Sequence, residues 1–175
     1  MKKIILALFC VTLMVSCKKE DPKPLPVKEV KQAKEVNKLN LKLNCETNSS
    51  DIIQVVFNKI ELQNNRDGNY IITEKLNPNT PSKDFNFEMI GDYITTVIQL
   101  KLGKKVKTLK VNNMAINFGD VTFKIDGSKL DNFFSFNKFI KYDAENSTIQ
   151  TVAIDGKHSP VMTLKKGRVK KLFGI

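Results

Sequence analysis

The amino-acid sequence contains few residues that could catalyse a reaction. Its single histidine, His158, is followed by Ser159, and these residue types form the base and nucleophile of many hydrolases. Neighbouring residues of a strand point to opposite faces, so the two side chains could not meet there. We expect His158 to be a solvated residue at a loop tip. Zinc needs three or four His, Cys or carboxylate ligands, and we predict no catalytic residue, metal site or cofactor.

Pairs of carboxylates are harder to exclude, because glycosidases use two acids about 5 to 10 Å apart. Most acids here stand beside Gly or Asn in predicted turns, where hydrogen bonds to the backbone explain them. Two oxygen-rich stretches, residues 65–69 and 143–146, also offer ligands for calcium, although neither fits a known calcium loop. A glycan hydrolase therefore ranks third among the functions. The acids are Glu61, Asp67, Glu74, Asp84, Glu88, Asp92, Asp120, Asp126, Asp131, Asp143, Glu145 and Asp155.

Three tyrosines are candidates for binding a carbohydrate, namely Tyr70, Tyr93 and Tyr142. The usual platform is an exposed Trp or Tyr ring that stacks on a sugar, and the chain has no Trp. Its eleven Phe residues fall mostly in the apolar phase of predicted strands, which indicates core positions. Polar pockets in loops are a second way of holding a glycan.

A dense basic cluster near the end of the chain is the other candidate for binding. It reads Lys165-Lys166-Gly167-Arg168-Val169-Lys170-Lys171, and Lys165, Lys166 and Arg168 could contact lipid phosphates or an acidic polysaccharide. A solvated C-terminal strand is the commoner explanation of such a cluster. Nucleic-acid binding requires basic residues interleaved with aromatic ones on one surface, so we do not expect a nucleic-acid partner.

Length and composition indicate one folded domain. The chain has 175 residues, of which 41% are hydrophobic and 27% charged, which is too apolar for a disordered chain. The net charge of +11 favours anionic partners, although scattered lysines also serve solubility. Cys45 extends the alternating series Leu39, Leu41 and Leu43, so we predict a small buried hydrophobe rather than a reactive thiol.

The first seventeen residues carry the clearest functional signal. Met1-Lys2-Lys3 is a positive start, and residues 4–15 form an apolar run too short to span a bilayer. The stretch Leu13-Met14-Val15-Ser16-Cys17 resembles a bacterial lipobox, with methionine where leucine is usual. The resemblance implies that residues 1–16 are removed as a signal peptide and that Cys17 is lipidated. An ordinary secretory signal is the alternative.

Residues 17–37 are predicted to be the lipidated cysteine followed by a flexible tether. Lys19-Glu20-Asp21 resembles the signal that carries some lipoproteins of diderm bacteria to the outer face of the outer membrane; a merely polar start is the alternative. Pro22, Pro24 and Pro26 favour an extended, semi-rigid segment. We therefore expect an anchor in the outer membrane, with the protein facing the periplasm or the cell surface.

Residues 38–175 are predicted to form a single β-domain of about nine or ten strands. A phase slip at Asn112-Asn113 predicts a β-bulge, and Gly119-Asp120 predicts a two-residue hairpin. Further turns are expected at 65–68 and, because of two prolines, at 78–81, with a short helical turn in 133–139. The predicted strands cover residues 39–45, 52–62, 70–76, 85–89, 94–102, 106–118, 121–125, 139–142, 149–154 and 161–164.

Many short strands with glycine-marked turns favour an all-β, antiparallel, jelly-roll-like sandwich over a closed barrel. Ile98-Gln99-Leu100-Lys101-Leu102-Gly103, Phe133-Phe134-Ser135-Phe136-Asn137 and Ile140-Lys141-Tyr142-Asp143 resemble β-sandwich modules of unknown role in surface lipoproteins of diderm bacteria. Some relatives of that architecture bind carbohydrate. We expect a non-catalytic monomer that binds a glycan; a structural or protein-interaction lipoprotein that docks an envelope protein is the alternative.

Overall fold

A computed structural model describes residues 38–61, 67–90 and 93–175. These residues belong to the unit Glu35–Ile175. The predicted signal peptide (1–16), the lipidated Cys17 with its tether (17–37) and the turn residues Asn65 and Arg66 lie outside the described residues. Within the described ranges, no helix has both the length and the hydropathy needed to cross a membrane.

The described residues form eleven strands, a short 3₁₀ helix and a C-terminal α-helix. The strands pair into two antiparallel sheets that pack face to face, so the predicted all-β sandwich is confirmed. The 3₁₀ helix is Gly127–Asn132 and the α-helix is Lys166–Phe173. The strands are β1 (Lys38–Thr47), β2 (Asp51–Glu61), β3 (Asp67–Leu76), β4 (Asn79–Ile90), β5 (Tyr93–Lys101), β6 (Thr108–Phe118), β7 (Val121–Asp126), β8 (Phe134–Phe136), β9 (Ile140–Asp143), β10 (Thr148–Thr151) and β11 (Val161–Leu164).

Three long ribbons build most of the sandwich. The first sheet has the order β4-β1-β6-β10-β9, with β7 also paired to β6, and the second has the order β3-β2-β5-β11-β8. Strands β1 and β2, β3 and β4, and β5 and β6 follow each other along the chain but belong to different sheets. Each of these three chain segments, called a ribbon here, therefore bends from one sheet into the other. Their registers place the three connections side by side. This wrapping follows the jelly-roll principle and leaves one outer face on each sheet.

The core lies between the sheets and follows from alternation along each strand. In β1 the residues Leu39, Leu41, Leu43 and Cys45 are all buried, while the residues between them face outward. Cys45 is 0% exposed, which confirms the predicted buried hydrophobe. Burial, with a smaller contribution from Glu46, raises the pKa of the Cys45 thiol to about 12.

A buried ion pair fastens two of the ribbon connections together. Oδ2 of Asp51, at the start of β2, accepts hydrogen bonds from the backbone N–H groups of Lys104 and Lys105, both at 2.8 Å. The same oxygen accepts a 2.5 Å bond from Nζ of Lys107, whose side chain is fully buried. Gly103 adopts φ 87°, and a Cβ there would overlap the Asp51 side chain. The corner therefore depends on both Asp51 and Gly103.

Two predicted local features are confirmed. Asn44 pairs with Asn113 while Cys45 pairs with Val111, so Asn112 is the extra residue of a β-bulge in β6. Gly119 and Asp120 connect β6 to β7, and Gly119 has the positive φ of 53° that a tight hairpin requires.

Three other local predictions are wrong. Asp67 and Gly68 are not in a turn but begin β3, paired with Ile60 and Lys59. The loop predicted at 78–81 is mostly strand, because β4 is an edge strand that tolerates a proline without an N–H. The helical turn predicted in 133–139 occurs instead at Gly127–Asn132, and Phe134–Phe136 pairs with β11 as β8.

Candidate functional site

The outer face of the first sheet carries a dense array of asparagine side chains. Asn40 of β1 stands directly opposite Glu88 of β4 and Asn117 of β6. Directly opposite residues of antiparallel strands point to the same face, and the side chains of this phase are exposed or half-buried. This surface, termed the amide face, comprises Asn40, Lys42, Asn44, Asp84, Asn86, Glu88, Asn113, Ala115, Asn117, Thr122, Lys124 and Asp126, with Asn112 beside them at the bulge.

The strand registers arrange the amide face as a grid. Neighbouring strands lie about 4.8 Å apart, and alternate residues of one strand about 6.7 Å apart, so the polar groups are spaced on the scale of a sugar ring. The three transverse rows are Glu88–Asn40–Asn117–Thr122, Asn86–Lys42–Ala115–Lys124 and Asp84–Asn44–Asn113–Asp126.

Some amides of this face are bonded to one another, and others are available. The bulge residue Asn112 donates from Nδ2 to Oδ1 of Asn44 (2.8 Å), and Nδ2 of Asn44 donates to Oδ1 of Asp84 (2.5 Å). By contrast, the side chains of Asn86, Asn113 and Asn117 form no hydrogen bond within the described part of the chain. Their donors and acceptors are therefore free to bind a ligand.

Asn40 leaves one polar atom unsatisfied at the centre of this sheet. Its Oδ1 is buried and has no hydrogen-bond partner among the described residues. This holds even though β1 has a neighbouring strand on each side, β4 and β6, that could have supplied a donor. A buried acceptor without a donor destabilises a fold by about 1 to 3 kcal/mol. A hydroxyl from outside the described chain would supply the missing donor once the amide turns about its last side-chain bond.

A groove of about 490 Å³ opens on the second sheet, within the size range of small-ligand sites. Ser135 of β8 and Thr163 of β11 are paired, and both lie on the outer face of the second sheet. This groove, termed the lysine groove, is lined by Thr96, Val97, Ser135, Thr163, Leu164, Lys165 and Lys166.

A β-bulge in β5 forms one wall of the lysine groove. Phe57 pairs with Ile98 and Lys59 with Thr95, so Thr96 and Val97 together oppose a single residue of β2. The buried Thr95 hydroxyl donates to the carbonyl of Val97 at 2.8 Å and stabilises the bulge. Bulges re-aim the side chains that they carry, which explains why Thr96 and Val97 border this groove.

Comparisons with protein-family models, curated protein sequences and solved structures give no match to this chain.

The basic tail is a helix, so the expectation of a solvated C-terminal strand is wrong. Val169 and Leu172 are buried on one side of Lys166–Phe173 and attach it to the core. Lys165 and Lys166 line the groove. Arg168 does not: its guanidinium lies 4.5 Å from the ring centroid of Phe133, and its Nε donates weakly to a backbone carbonyl.

The structure does not bring the three candidate tyrosines together. The Tyr142 hydroxyl donates to the carbonyl of Gly127 (2.7 Å) and accepts from the N–H of Leu130 (3.2 Å), so it is used within the fold. Burial raises its pKa. Tyr70 is 41% exposed on the edge strand β3 of the other sheet. Tyr93 begins β5, and its side chain lies outside the described residues.

His158 is half-buried, and both ring nitrogens are buried without a partner in the described part of the chain. The expectation of a solvated loop-tip residue is therefore wrong. The tip is formed instead by Asp155 and Gly156, with φ values of 51° and 70°, between the bridged residues Ile154 and Lys157.

The oxygen-rich turn at 143–146 is held by its own hydrogen bonds. The Asp143 carboxylate accepts from Nδ2 (2.8 Å) and from the backbone N–H (3.2 Å) of Asn146. These two bonds lower the pKa of Asp143. Across residues 38–61, 67–90 and 93–175, no three His, Cys, Asp or Glu side chains are grouped as metal ligands.

Proposed function

We propose that the protein is a non-catalytic, membrane-anchored lipoprotein whose amide face binds a glycan. The observation that best supports a glycan is the placement of Asn40, Asn86, Asn113 and Asn117 on one face of three adjacent strands. A carboxamide offers both donors and an acceptor, and a sugar hydroxyl also donates and accepts. The backbone that carries these side chains is held in place by strand pairing before binding, which limits the entropy lost on association to that of the side chains.

The chemistry of this face fits a glycan better than a protein. The centres of protein–protein interfaces are enriched in aromatic residues and Met, and the amide face as defined contains neither. It presents both charge signs, with Lys42 and Lys124 beside Asp84 and Asp126, so hydrogen bonding rather than net charge determines what binds. Binding should therefore survive high salt, which screens exposed charges.

The glycan proposal is tested by titrating the purified protein with a panel of neutral polysaccharides in low and high salt. Asn86→Ala with Asn113→Ala removes two available amides from the amide face. The matched control, Gln54→Ala with Asn69→Ala, removes two amides from the second sheet. We expect the first pair to weaken binding at least tenfold, since each hydrogen bond contributes about 1 kcal/mol, and the control to leave it unchanged. Equal losses, or no binding to any polysaccharide, would overturn the proposal.

The anchor is supported by the lipobox resemblance at residues 13–17 and has its own test. In a diderm bacterial host, Cys17→Ser should abolish acylation and release the protein from the membrane fraction, while Cys10→Ser should change neither. Two or three acyl chains anchor a protein firmly, whereas one is marginal. Protease treatment of intact cells then reports whether the anchored domain faces the surface or the periplasm. Membrane association that persists without Cys17 would contradict lipidation.

A second candidate function, docking of an envelope protein, is supported by the outer edge of β3. This strand ends the second sheet in the described residues, and its Tyr70 and Ile71 are 41% and 49% exposed. Exposed edges with apolar side chains can receive an added strand from a partner. Ile71→Lys would block such docking and leave glycan binding intact. If Ile71→Lys abolished glycan binding instead, the β3 edge and the amide face could not have the separate roles of docking a protein and binding a glycan.

A further inference from the structure

The charge of the lysine groove is one-sided. Lys165 and Lys166 are exposed and contribute to its lining, and no carboxylate does. Neither lysine forms an ion pair with any described residue. Their ammonium groups are thus uncompensated beside a concave surface, which favours an anion.

The hydroxyl groups of the groove are also available as donors. Nε2 of Gln99 donates to Oγ1 of Thr163 at 3.4 Å, so the hydroxyl hydrogen of Thr163 remains free to point elsewhere. Ser135 stands directly opposite Thr163 on the neighbouring strand, and Thr96 adds a third hydroxyl. Ammonium and hydroxyl donors together match a phosphate, whose oxygens only accept when it is fully ionised.

The backbone that carries the two lysines is fixed before any ligand binds. The N–H of Lys165 donates to the carbonyl of Phe133 (2.8 Å), and its carbonyl accepts from the N–H groups of Arg168 (2.8 Å) and Val169 (3.1 Å). Across the groove, the buried Thr95 holds the β5 bulge. Binding would then order only the lysine side chains, which limits the entropy lost.

We infer that the lysine groove is a second binding site, separate from the amide face, that takes the phosphate monoester of a sugar. Two ammonium groups balance the charge of such a monoester, about −1.5 to −2 at neutral pH. The wall also includes the half-buried Val97, whose apolar surface suits the C–H face of a sugar ring. The site thereby recognises a phosphate and the ring that carries it.

The test measures binding of a hexose 6-phosphate to the purified protein by calorimetry at physiological salt. Lys165→Gln with Lys166→Gln removes the two lysines of the groove. The control, Lys170→Gln with Lys171→Gln, removes the same charge from the C-terminal helix at positions outside the groove lining. We expect at least a hundredfold loss for the first pair, because a hydrogen bond to a charged group contributes about tenfold or more, and less than threefold for the control. Thr163→Val should weaken binding about tenfold, and Ser135→Ala gives a second reading if that variant unfolds.

Several results would overturn the inference. One is an equal loss of affinity for the hexose phosphate in the two double lysine variants. Another is equal affinity of the protein for inorganic phosphate and for the hexose phosphate. A third is binding to vesicles of anionic phospholipid without binding to the hexose phosphate. The unphosphorylated hexose should bind at least tenfold more weakly than its phosphate, and equal binding would also count against the site. The two sites are told apart by Asn86→Ala with Asn113→Ala, which should weaken neutral-glycan binding at least tenfold without changing hexose phosphate binding.

Discussion

Replacement of Asp51 by asparagine tests how much the buried ion pair with Lys107 stabilises the fold. Asn keeps an oxygen that can accept from the backbone N–H groups of Lys104 and Lys105, but it removes the charge that faces Lys107. The Lys107 side chain is fully buried, so the variant leaves an ammonium without its counter-ion. Breaking a buried pair in this way destabilises a protein by about 3 to 5 kcal/mol. Replacing both partners, with Lys107→Met beside Asp51→Asn, should recover most of that loss, because apolar packing often substitutes for a buried pair.

The pKa of Asp51 sets the pH range of the effect. Burial acts to raise it, but hydrogen bonds from Lys107, Lys105 and Ile52 and the charge of Lys107 outweigh burial and lower it from 3.8 to about 2. A carboxyl whose pKa falls on folding stabilises the fold above its unfolded pKa, and this contribution is lost as the pH falls towards the folded pKa. The shift corresponds to about 2.4 kcal/mol at 1.36 kcal/mol per unit.

Urea denaturation at a series of pH values from 2 to 7 measures both quantities. At pH 7 the free energy of unfolding of Asp51→Asn should lie about 3 to 5 kcal/mol below that of the wild type. That gap should narrow steadily below pH 4, as the wild-type carboxylate becomes protonated. A gap under 1 kcal/mol at pH 7, or one that stays constant down to pH 2, would refute the reasoning.

Three further predictions concern single side chains. Tyr142→Phe should lower the free energy of unfolding by about 1 to 3 kcal/mol, because the carbonyl of Gly127 and the N–H of Leu130 lose their partner; an unchanged urea midpoint would contradict this. Cys45, buried and with its pKa raised to about 12, should resist iodoacetamide at pH 8 until urea unfolds the protein; labelling of the native protein would show that the strand opens. Asn40→Thr should stabilise the fold by about 1 kcal/mol, by removing an unsatisfied buried acceptor, and weaken glycan binding; a destabilised variant would show that Oδ1 has a partner.

Alternation along the chain was enough to predict the sandwich, because burial on one face repeats every second residue. Cys45 and the Asn112 bulge were both predicted from that phase alone, since a one-residue slip moves every later side chain to the other face. Pro81 was misread because a sequence does not reveal which strands will be edges. Phe134–Phe136 was misread because three residues are too few to show a period, and only pairing with β11 makes them a strand.

The amide face and the lysine groove depend on pairing between strands far apart in sequence, and for that reason they were not predicted. Asn40, Asn86 and Asn117 each stand in the polar phase of their own strand, which a sequence does show. They meet on one face only because the strand order is β4-β1-β6. A sequence does not show that order. Lys165 and Lys166 were identified from charge density alone, whereas the wall formed by Thr96 and Val97 required the register shift in β5.

The two outer faces of the sandwich differ in a way that folding alone does not explain. On the second sheet the outward residues include strand formers such as Ile52, Val56, Ile71, Thr73 and Thr163, as β-propensity favours. The first sheet places asparagine, a residue depleted in strands, at five outward positions, namely Asn40 and Asn44 of β1, Asn86 of β4, and Asn113 and Asn117 of β6. Places where local preference conflicts with the fold tend to be functional sites, because the conflict is otherwise removed by substitution. We therefore expect that replacing the asparagines of the amide face by threonine stabilises the domain and removes the proposed glycan binding.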